Sequence, residues 1–150
     1  MDLILWRHAE AEEGHPDEKR ALTPRGKRQA ARVAQWLSGV LEEPYGILVS
    51  PALRTQQTAE ALDLPFETCA AVGTRSTPEA LLEAVQWPLA ERTVVVVGHQ
   101  PTLGETAALL MTGHVQPWSV RKGALWWFSW RTRRDQAQVV LRAVLNPDLL

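Results

Sequence analysis

Residues 93–99 read Thr-Val-Val-Val-Val-Gly-His, and they are the clearest indication of the fold class. Its β-branched side chains point to both faces of an extended strand, which requires apolar cover on both sides. Strands of this kind are typical of parallel sheets that have helices on each face. Residues 2–6, apolar after Asp2, and residues 47–49 are two further short strand-like runs. The sequence therefore predicts an α/β protein with a mainly parallel central sheet.

Helix signals alternate with these strands. Thr23-Pro24 and Ser50-Pro51 each place a capping residue before a proline, which is typical of a helix start. The pattern predicts helices over residues 24–42, 52–62, 78–87 and 101–111. Alternating strands and helices imply right-handed crossovers, so we expect a three-layer sandwich with helices on both faces of the sheet. We expect a single domain spanning residues 1–150.

The C-terminal region is rich in aromatic residues. Residues 124–130 and 139–145 flank a polar turn, which predicts an antiparallel hairpin near the C-terminus. The run Trp126 to Trp130 is followed by the basic Arg131 to Arg134, and this combination is also typical of proteins that stack on single-stranded nucleic acid. A near-neutral chain offers no extended basic track, so we favour tryptophans packed on the sheet and a charged turn.

Composition limits the classes of function. The chain has 16 Lys and Arg against 17 Asp and Glu, a formal net charge of -1. No overall field would attract nucleic acid or an anionic membrane, so any anion site must be local. The single cysteine, Cys69, cannot form an internal disulfide, and no apolar run approaches the roughly 20 residues of a membrane span. Without a secretory signal, the expected location is the cytoplasm.

Three strand ends carry matched chemistry. Arg7 and His8 end the first strand, Arg54 lies one turn into the helix that follows the second, and Gly98-His99 ends the strand at residues 93–97. The carboxyl ends of parallel strands meet at one edge of a sheet, where ligands bind. Helix N-termini at the same edge point backbone N–H groups outward. Two histidines and two arginines are therefore predicted to converge on an anion-binding pocket.

These segments resemble the histidine phosphatase superfamily, also called phosphoglycerate-mutase-like proteins. The Arg-His-Ala opening and the small size are most similar to its SixA-type phosphohistidine phosphatases. The matching segments cover most of residues 1–112, and they are Leu5 to Glu10, Leu22 to Ala30, Ser50 to Ala59 and Val96 to Leu103. The resemblance implies a phosphatase that uses a phosphohistidine intermediate and needs no metal ion or other cofactor.

The resemblance also implies roles for individual residues. His8 is the expected nucleophile, neutral at the attacking ring nitrogen, with its other N–H held by a backbone acceptor. Arg7 and Arg54 are expected to hold the phosphoryl oxygens, because a guanidinium is always charged and can bind an anion bidentately. His99, expected in its protonated form, donates to an oxygen whose charge changes in the transition state. Arg20 is a further substrate-binding candidate.

Two features depart from the family pattern. Ala9 stands where a glycine usually follows the nucleophile, and its methyl group could crowd the phosphate. No dedicated proton donor is evident. Carboxylates that could serve as donors are Glu10, Asp17, Glu18 and Glu105. His15 and His114 have no partner at a strand end and are expected at the surface.

The missing acid bears on the substrate. An alkoxide leaves poorly without a proton, whereas an imidazole with a pKa near 6.5 is easily protonated. This favours phosphohistidine on a partner protein. A small-molecule phosphomonoesterase of the same superfamily and an inactive phospholigand-binding module are the alternatives. The partners expected are thus a phosphorylated protein or small phosphate ester, with inorganic phosphate in the pocket, and neither nucleic acid nor membrane.

Overall fold

The computed structural model describes the whole chain, residues 1–150, as strands and helices in alternation. Its strands are β1 Asp2–Arg7, β2 Tyr45–Val49, β3 Glu67–Thr68, β4 Thr93–Gly98, β5 Leu125–Arg133 and β6 Gln136–Leu145. Its helices are α1 Pro24–Val40, α2 Leu53–Glu60, α3 Pro78–Ala84 and α4 Thr102–Thr112, with short 3₁₀ turns at Asp17–Lys19, Ala70–Val72 and Pro147–Leu149. None of the helices combines the length and apolar character that a bilayer crossing requires.

All six strands form one mixed sheet in the order β3-β2-β4-β1-β5-β6. Strands β3, β2, β4 and β1 are parallel, while β5 pairs antiparallel with β1 and with β6. The predicted α/β class, the mainly parallel sheet and the C-terminal hairpin are confirmed. The valine strand β4 lies between β2 and β1, where a fully apolar strand is needed because both of its faces are covered.

Each face of the sheet has its own apolar core. On one face, Leu81 of α3 and Leu103 of α4 pack with inward side chains of β1 and β4, such as Leu3 and Val96. On the other face, residues of α1 and α2, including Leu37 and Ala59, pack against the alternate residues of the same strands. Because successive side chains of a strand point to opposite faces, the continuous apolar runs supply both cores.

The start of α1 is held tightly against the segment that follows β1. The Thr23 hydroxyl accepts a hydrogen bond from the Gly26 N–H, which is the predicted N-cap. A Cβ added at Gly26 would overlap the Glu10 carbonyl oxygen, so only glycine permits this approach. The N-terminal end of α1 is thereby fixed beside the end of β1.

The corresponding prediction for α2 is wrong. Ser50-Pro51 does not cap the helix, which begins at Leu53 after an Ala52 N-cap that makes no side-chain hydrogen bond. The Ser50 hydroxyl contacts His99 instead. A sequence pattern cannot separate a serine that caps a helix from one that faces a neighbouring strand end.

The aromatic residues of β5 belong to the sheet. Phe128 is fully buried, and Trp127 is nearly so, with its indole N–H donating to Asp2 at 2.9 Å. The Arg142 guanidinium lies 4.4 Å from the centre of the Trp127 ring. These packed positions favour the hairpin interpretation over a nucleic-acid stacking surface.

Candidate active site

The ends of β1 and β4 bring two histidines together. Arg7 is paired with Gly98 in the parallel register, and the His8 backbone N–H donates to the Gly98 carbonyl at 3.1 Å. The residues that follow, His8 and His99, therefore emerge side by side, and their ring centres lie 5.4 Å apart. The predicted meeting of these two strand ends is what the structure shows.

The environment of His8 keeps its ring neutral. Burial is the largest effect that lowers its pKa, and the charges of His99, Arg54 and Arg7 lower it further, to about 3. The Ala9 carbonyl lies 2.7 Å from Nδ1 and opposes this shift. In the neutral ring, Nδ1–H donates to that carbonyl, and Nε2 keeps its lone pair. The sequence-based expectation of a neutral imidazole with a backbone acceptor matches this geometry.

His99 lies opposite His8 and is bonded through one ring nitrogen only. Its Nε2 is 2.7 Å from the Ser50 hydroxyl, while its buried Nδ1 has no partner in the protein. The Ala52 N–H donates to the Ser50 oxygen at 3.4 Å, and the serine hydroxyl keeps its own hydrogen to donate. In the tautomer in which this hydroxyl donates to Nε2, the ring proton of His99 lies on Nδ1, the nitrogen without a protein partner.

The protonation state of His99 differs from the sequence-based expectation. Burial, followed by the nearby charge of Arg54, lowers its pKa to about 4, although Asp17 acts in the opposite direction. In the unliganded protein His99 is therefore neutral at pH 7. It does not carry the positive charge that the resemblance suggested, and Nδ1 is the ring nitrogen that has no hydrogen-bond partner in the protein.

Arg7 is bonded to the protein through one of its three guanidinium nitrogens. Its Nη1 donates to the Val120 carbonyl at 2.9 Å, whereas its buried Nε has no partner. Burial and repulsion by Arg54 lower its pKa, yet a guanidinium stays charged at any physiological pH. Arg7 therefore brings a fixed positive charge and an unused donor to the pocket.

Arg54 is presented by the first turn of α2 and is 5% exposed. Its Nη1 donates to the Asp17 carbonyl at 2.9 Å, and its Nη2 lies 3.0 Å from the Asp17 carboxylate. Its Nε is buried without a partner. The Arg54 guanidinium is thus held at Nη1 and Nη2 by Asp17 of the loop before α1, and Nε is the nitrogen without a protein partner.

Arg20 reaches the pocket only through Asp17. Its Nη1 bonds the Asp17 carboxylate at 3.0 Å, and its Nε donates to the Glu12 carbonyl at 2.7 Å. Hydrogen bonds from Arg20 and then from Arg54 lower the pKa of Asp17, so this carboxylate is ionised at neutral pH. Asp17 is therefore poorly suited to donate a proton, although the sequence offered it as a candidate.

Two residues that contribute to the site were missed as such by the sequence analysis. The fully buried Thr58 hydroxyl accepts the Ala9 N–H at 3.1 Å and donates to the Arg54 carbonyl at 2.7 Å, so it joins α2 to the end of β1. Its position four residues after Arg54 on the buried helix face is a signal that could have identified it. The other is Ser50, whose signal was interpreted as a helix cap.

The alanine after His8 does not crowd the pocket. Ala9 is fully buried and packs with Ala11, Leu22 and Ala30 in a small apolar cluster. Its methyl group therefore fills space between the first loop and α1. The departure from glycine is accommodated by local packing rather than by a change at the ligand side.

The chemistry of the assembled site follows from its unpaired groups. Three buried nitrogens have no partner in the protein, namely Arg7 Nε, Arg54 Nε and His99 Nδ1. Unpaired buried donors are costly, and positively charged ones more so, unless a ligand completes them. The charges of Arg7, Arg54 and His99 all act on the neutral imidazole of His8, whose only hydrogen bond is made by Nδ1. No group of three or more His, Cys, Asp or Glu side chains is placed to hold a metal ion.

Known proteins resemble this chain along most of its length. A model of the histidine phosphatase superfamily (branch 1) matches residues 3–73. An uncharacterized protein of Picosynechococcus sp. is 36% identical over 129 residues, which cover 76% of this chain and 77% of that protein. Phosphohistidine phosphatase SixA of Escherichia coli (strain K12) is 33% identical over 128 residues, covering 78% of each chain.

A solved structure extends the similarity to the whole fold. The structure of the protein histidine phosphatase SixA complexed with tungstate superposes with a TM-score of 0.82 and 25% sequence identity, and the match covers 99% of both chains. Tungstate is a tetrahedral oxyanion and an analogue of phosphate.

Proposed function

The chain belongs to the histidine phosphatase superfamily and is a phosphatase of that superfamily; from this premise we propose that it removes phosphate from phosphohistidine on a partner protein, with His8 as nucleophile. The observation that carries the proposal is the set of three unpartnered buried nitrogens beside a neutral His8. A phosphoryl group supplies the oxygens that these nitrogens lack.

The reaction divides into two displacements. His8 Nε2 attacks the phosphorus of a phosphohistidine whose other ring nitrogen is protonated, the P–N bond breaks with its electron pair on the leaving nitrogen, and a neutral imidazole departs. Water then attacks the phosphoryl group on His8. The P–Nε2 bond breaks with its electron pair returning to Nε2, and the protons of the water leave with the inorganic phosphate. The Nδ1–H bond to the Ala9 carbonyl, 2.7 Å long, stabilises the positive charge that the ring carries while Nε2 is phosphorylated.

The other pocket residues stabilise the transferring group. Arg7 and Arg54 carry charges that balance the phosphoryl oxygens, and each presents an unused Nε. His99 donates from Nδ1, with its ring orientation set by the Ser50 hydroxyl. Because these donors are fixed before substrate arrives, little reorganisation is needed during the reaction.

The choice of phosphohistidine rests on the leaving group and on the relatives. The carboxylate bonded to Arg54 is the ionised Asp17, which does not supply a proton to a leaving alkoxide. A phosphorylated imidazole that is protonated on its other ring nitrogen needs no such donor, because it departs as a neutral base whose conjugate acid has a pKa near 6.5. The Escherichia coli relative is named a phosphohistidine phosphatase, and a SixA structure holds a phosphate analogue. Arg20 contributes through its bond to Asp17.

The test compares two substrates and two variants. The substrates are a histidine-containing protein phosphorylated with phosphoramidate and a small aryl phosphate, each assayed in the presence of a chelator. We expect a higher kcat/KM on the phosphohistidine protein, and loss of both activities in His8→Asn. His114→Asn, which changes an exposed histidine, is the matched control and should keep both activities.

Quenching during turnover adds a chemical readout. A label on the protein that is acid-labile and alkali-stable identifies a phosphohistidine intermediate, and it should be absent from His8→Asn. Preference for the aryl phosphate would support the small-molecule phosphomonoesterase alternative. Absence of turnover on both substrates would support the binding-module alternative and overturn the proposal.

A further inference from the structure

A groove of about 460 Å³ opens beside the pocket and shares Arg7 with it. One wall is the first turns of α1, including Arg25 and Gln29. The loop before β5, residues 119–122, also lines the groove, together with Pro147 and Asp148. Almost every lining residue is polar or charged. The groove is therefore unlike an apolar ligand cavity and suits a polar partner.

Positive charge is concentrated along this groove. The cations that line it are Arg25, Arg121 and Lys122, besides Arg7 itself, and an adjoining depression of about 250 Å³ adds Arg28 and Arg32. Glu10 and Asp148 are the only carboxylates that line either one. The chain as a whole carries a formal charge of -1, so this face differs sharply from the average surface.

Most of these cations have no counter-charge in the protein. Arg28, Arg32, Arg121 and Lys122 are exposed and form no ion pair. Arg25 is 3.9 Å from Glu10, whose other oxygen accepts the Thr23 hydroxyl at 2.7 Å. A row of unpaired cations raises the local concentration of anions and speeds their association.

The length of the row argues against a small ester as its occupant. Arg25, Arg28 and Arg32 recur at helical spacing and share one face of α1. At a rise of about 1.5 Å per residue the row extends about 10 Å along the helix. A single phosphate ester bound at His8 would contact only the near end. A ligand that uses the whole row must present several anionic groups over a wide surface.

Hydrogen bonds fix the position of the groove relative to His8. The Arg7 guanidinium donates to the Val120 carbonyl at 2.9 Å, and the Gly123 N–H donates to the His8 carbonyl at 2.9 Å. On the α1 side, Gln29 accepts the Glu10 N–H at 3.0 Å. A surface docked in the groove would therefore stand at a fixed position relative to His8.

We propose that this groove and the arginine row of α1 form a docking surface for an acidic face of the phosphorylated protein substrate. The inference rests on the proposed function, because it assigns a surface character to the partner that carries the phosphohistidine. Docking is separate from chemistry: the row raises the rate of productive encounter, and the pocket performs the transfer.

The experiment uses two synthetic phosphohistidine peptides that differ only in their flanking residues, glutamate in one and lysine in the other. The variant is Arg28→Glu combined with Arg32→Glu. The control is Arg133→Glu combined with Arg134→Glu, two exposed arginines at the β5–β6 turn. An aryl phosphate reports the chemistry of the pocket in every protein and shows that each variant is folded.

We expect the unaltered protein to favour the glutamate peptide by about tenfold in kcat/KM at low salt, because steering by surface charge changes association rates by this order. Raising the salt from about 50 to about 500 mM should remove most of this preference, since screening shortens the Debye length. The Arg28→Glu, Arg32→Glu variant should lose the preference and keep its activity on the aryl phosphate. The control variant should keep both.

Other results overturn the docking surface. Equal kcat/KM for the two peptides, or the same loss in both arginine variants, would contradict it while leaving the phosphatase activity in place. Inhibition through Arg28 and Arg32 by polyphosphate but not by poly-L-glutamate would assign the row to a polyphosphate ligand instead. Absence of hydrolysis of every substrate would mean that the proposed function has failed, which is a separate result.

Discussion

Acid should destabilise this protein through its two pocket histidines. Folding holds both rings neutral, because burial lowers the pKa of His8 to about 3 and that of His99 to about 4 from the ordinary 6.5. Below pH 6.5 the unfolded chain gains protons that the folded protein excludes, so stability is complete above that value and is lost as the pH falls toward the native pKa values.

The size of the loss follows from these values. At pH 5 the unfolded imidazoles lie about 1.5 pH units below their pKa, and each unit corresponds to about 1.4 kcal/mol. Each histidine therefore costs about 2 kcal/mol of unfolding free energy between pH 7 and pH 5, and the pair costs about 4. This is a large share of the roughly 5–15 kcal/mol that stabilises a typical domain.

The assay is urea unfolding at both pH values in buffers free of phosphate. Carboxylates also titrate in this range. We therefore compare the free energy of unfolding lost between pH 7 and pH 5 in the unaltered protein with the free energy of unfolding lost in His8→Asn. The asparagine amide can still donate to the Ala9 carbonyl, and we expect this difference to be about 2 kcal/mol. His114→Asn should lose as much stability as the unaltered protein. An equal loss in His8→Asn and His114→Asn would show that folding does not keep His8 neutral, and the proposed nucleophile would lose its physical basis.

Three further substitutions test how the pocket is built. Ser50→Ala should lower kcat about tenfold, because the His99 ring loses the hydroxyl that orients it. Ser50→Thr keeps a hydroxyl and should retain most activity, so equal rates in the two variants would contradict a positioning role. Thr58→Val should reduce the free energy of unfolding, measured in urea, by about 1–3 kcal/mol, because it leaves the buried Ala9 N–H without a partner. A loss near zero would mean that water replaces the hydroxyl. Asp17→Asn should lower the inhibition constant of inorganic phosphate by about threefold, because it removes a negative charge bonded to Arg54. Weaker inhibition would mean that Asp17 is needed to hold Arg54 in position for the anion.

The general form of the fold could be predicted from local sequence. The valines of β4 identify a central strand, because no other position in a sheet requires β-branched residues on both faces. The same reasoning placed Arg7, His8 and His99 at strand ends that must meet, since parallel strands share their carboxyl edge. The predicted helix caps were correct in one case of two: Thr23 caps α1, whereas Ser50 does not cap α2.

The protonation states and hydrogen-bond partners of the pocket residues could not be predicted from local sequence patterns. The pKa values of His8 and His99 depend on burial and on charges brought from distant segments. The bond of His99 to Ser50 spans 49 positions of sequence, and so does that of Ala9 to Thr58. The bond between Arg54 and Asp17 spans 37. None of these pairs has a periodicity that a sequence pattern could reveal.

Local strand and helix signals were enough to place these residue types at the edge of the sheet, because they fix where each element ends. Their bonding partners could be seen only after folding: Nδ1 of His8 bonds a carbonyl, His99 a serine, and Arg54 an ionised carboxylate. Hydrogen bonding and desolvation are properties of neighbours in space, and folding alone creates those neighbours.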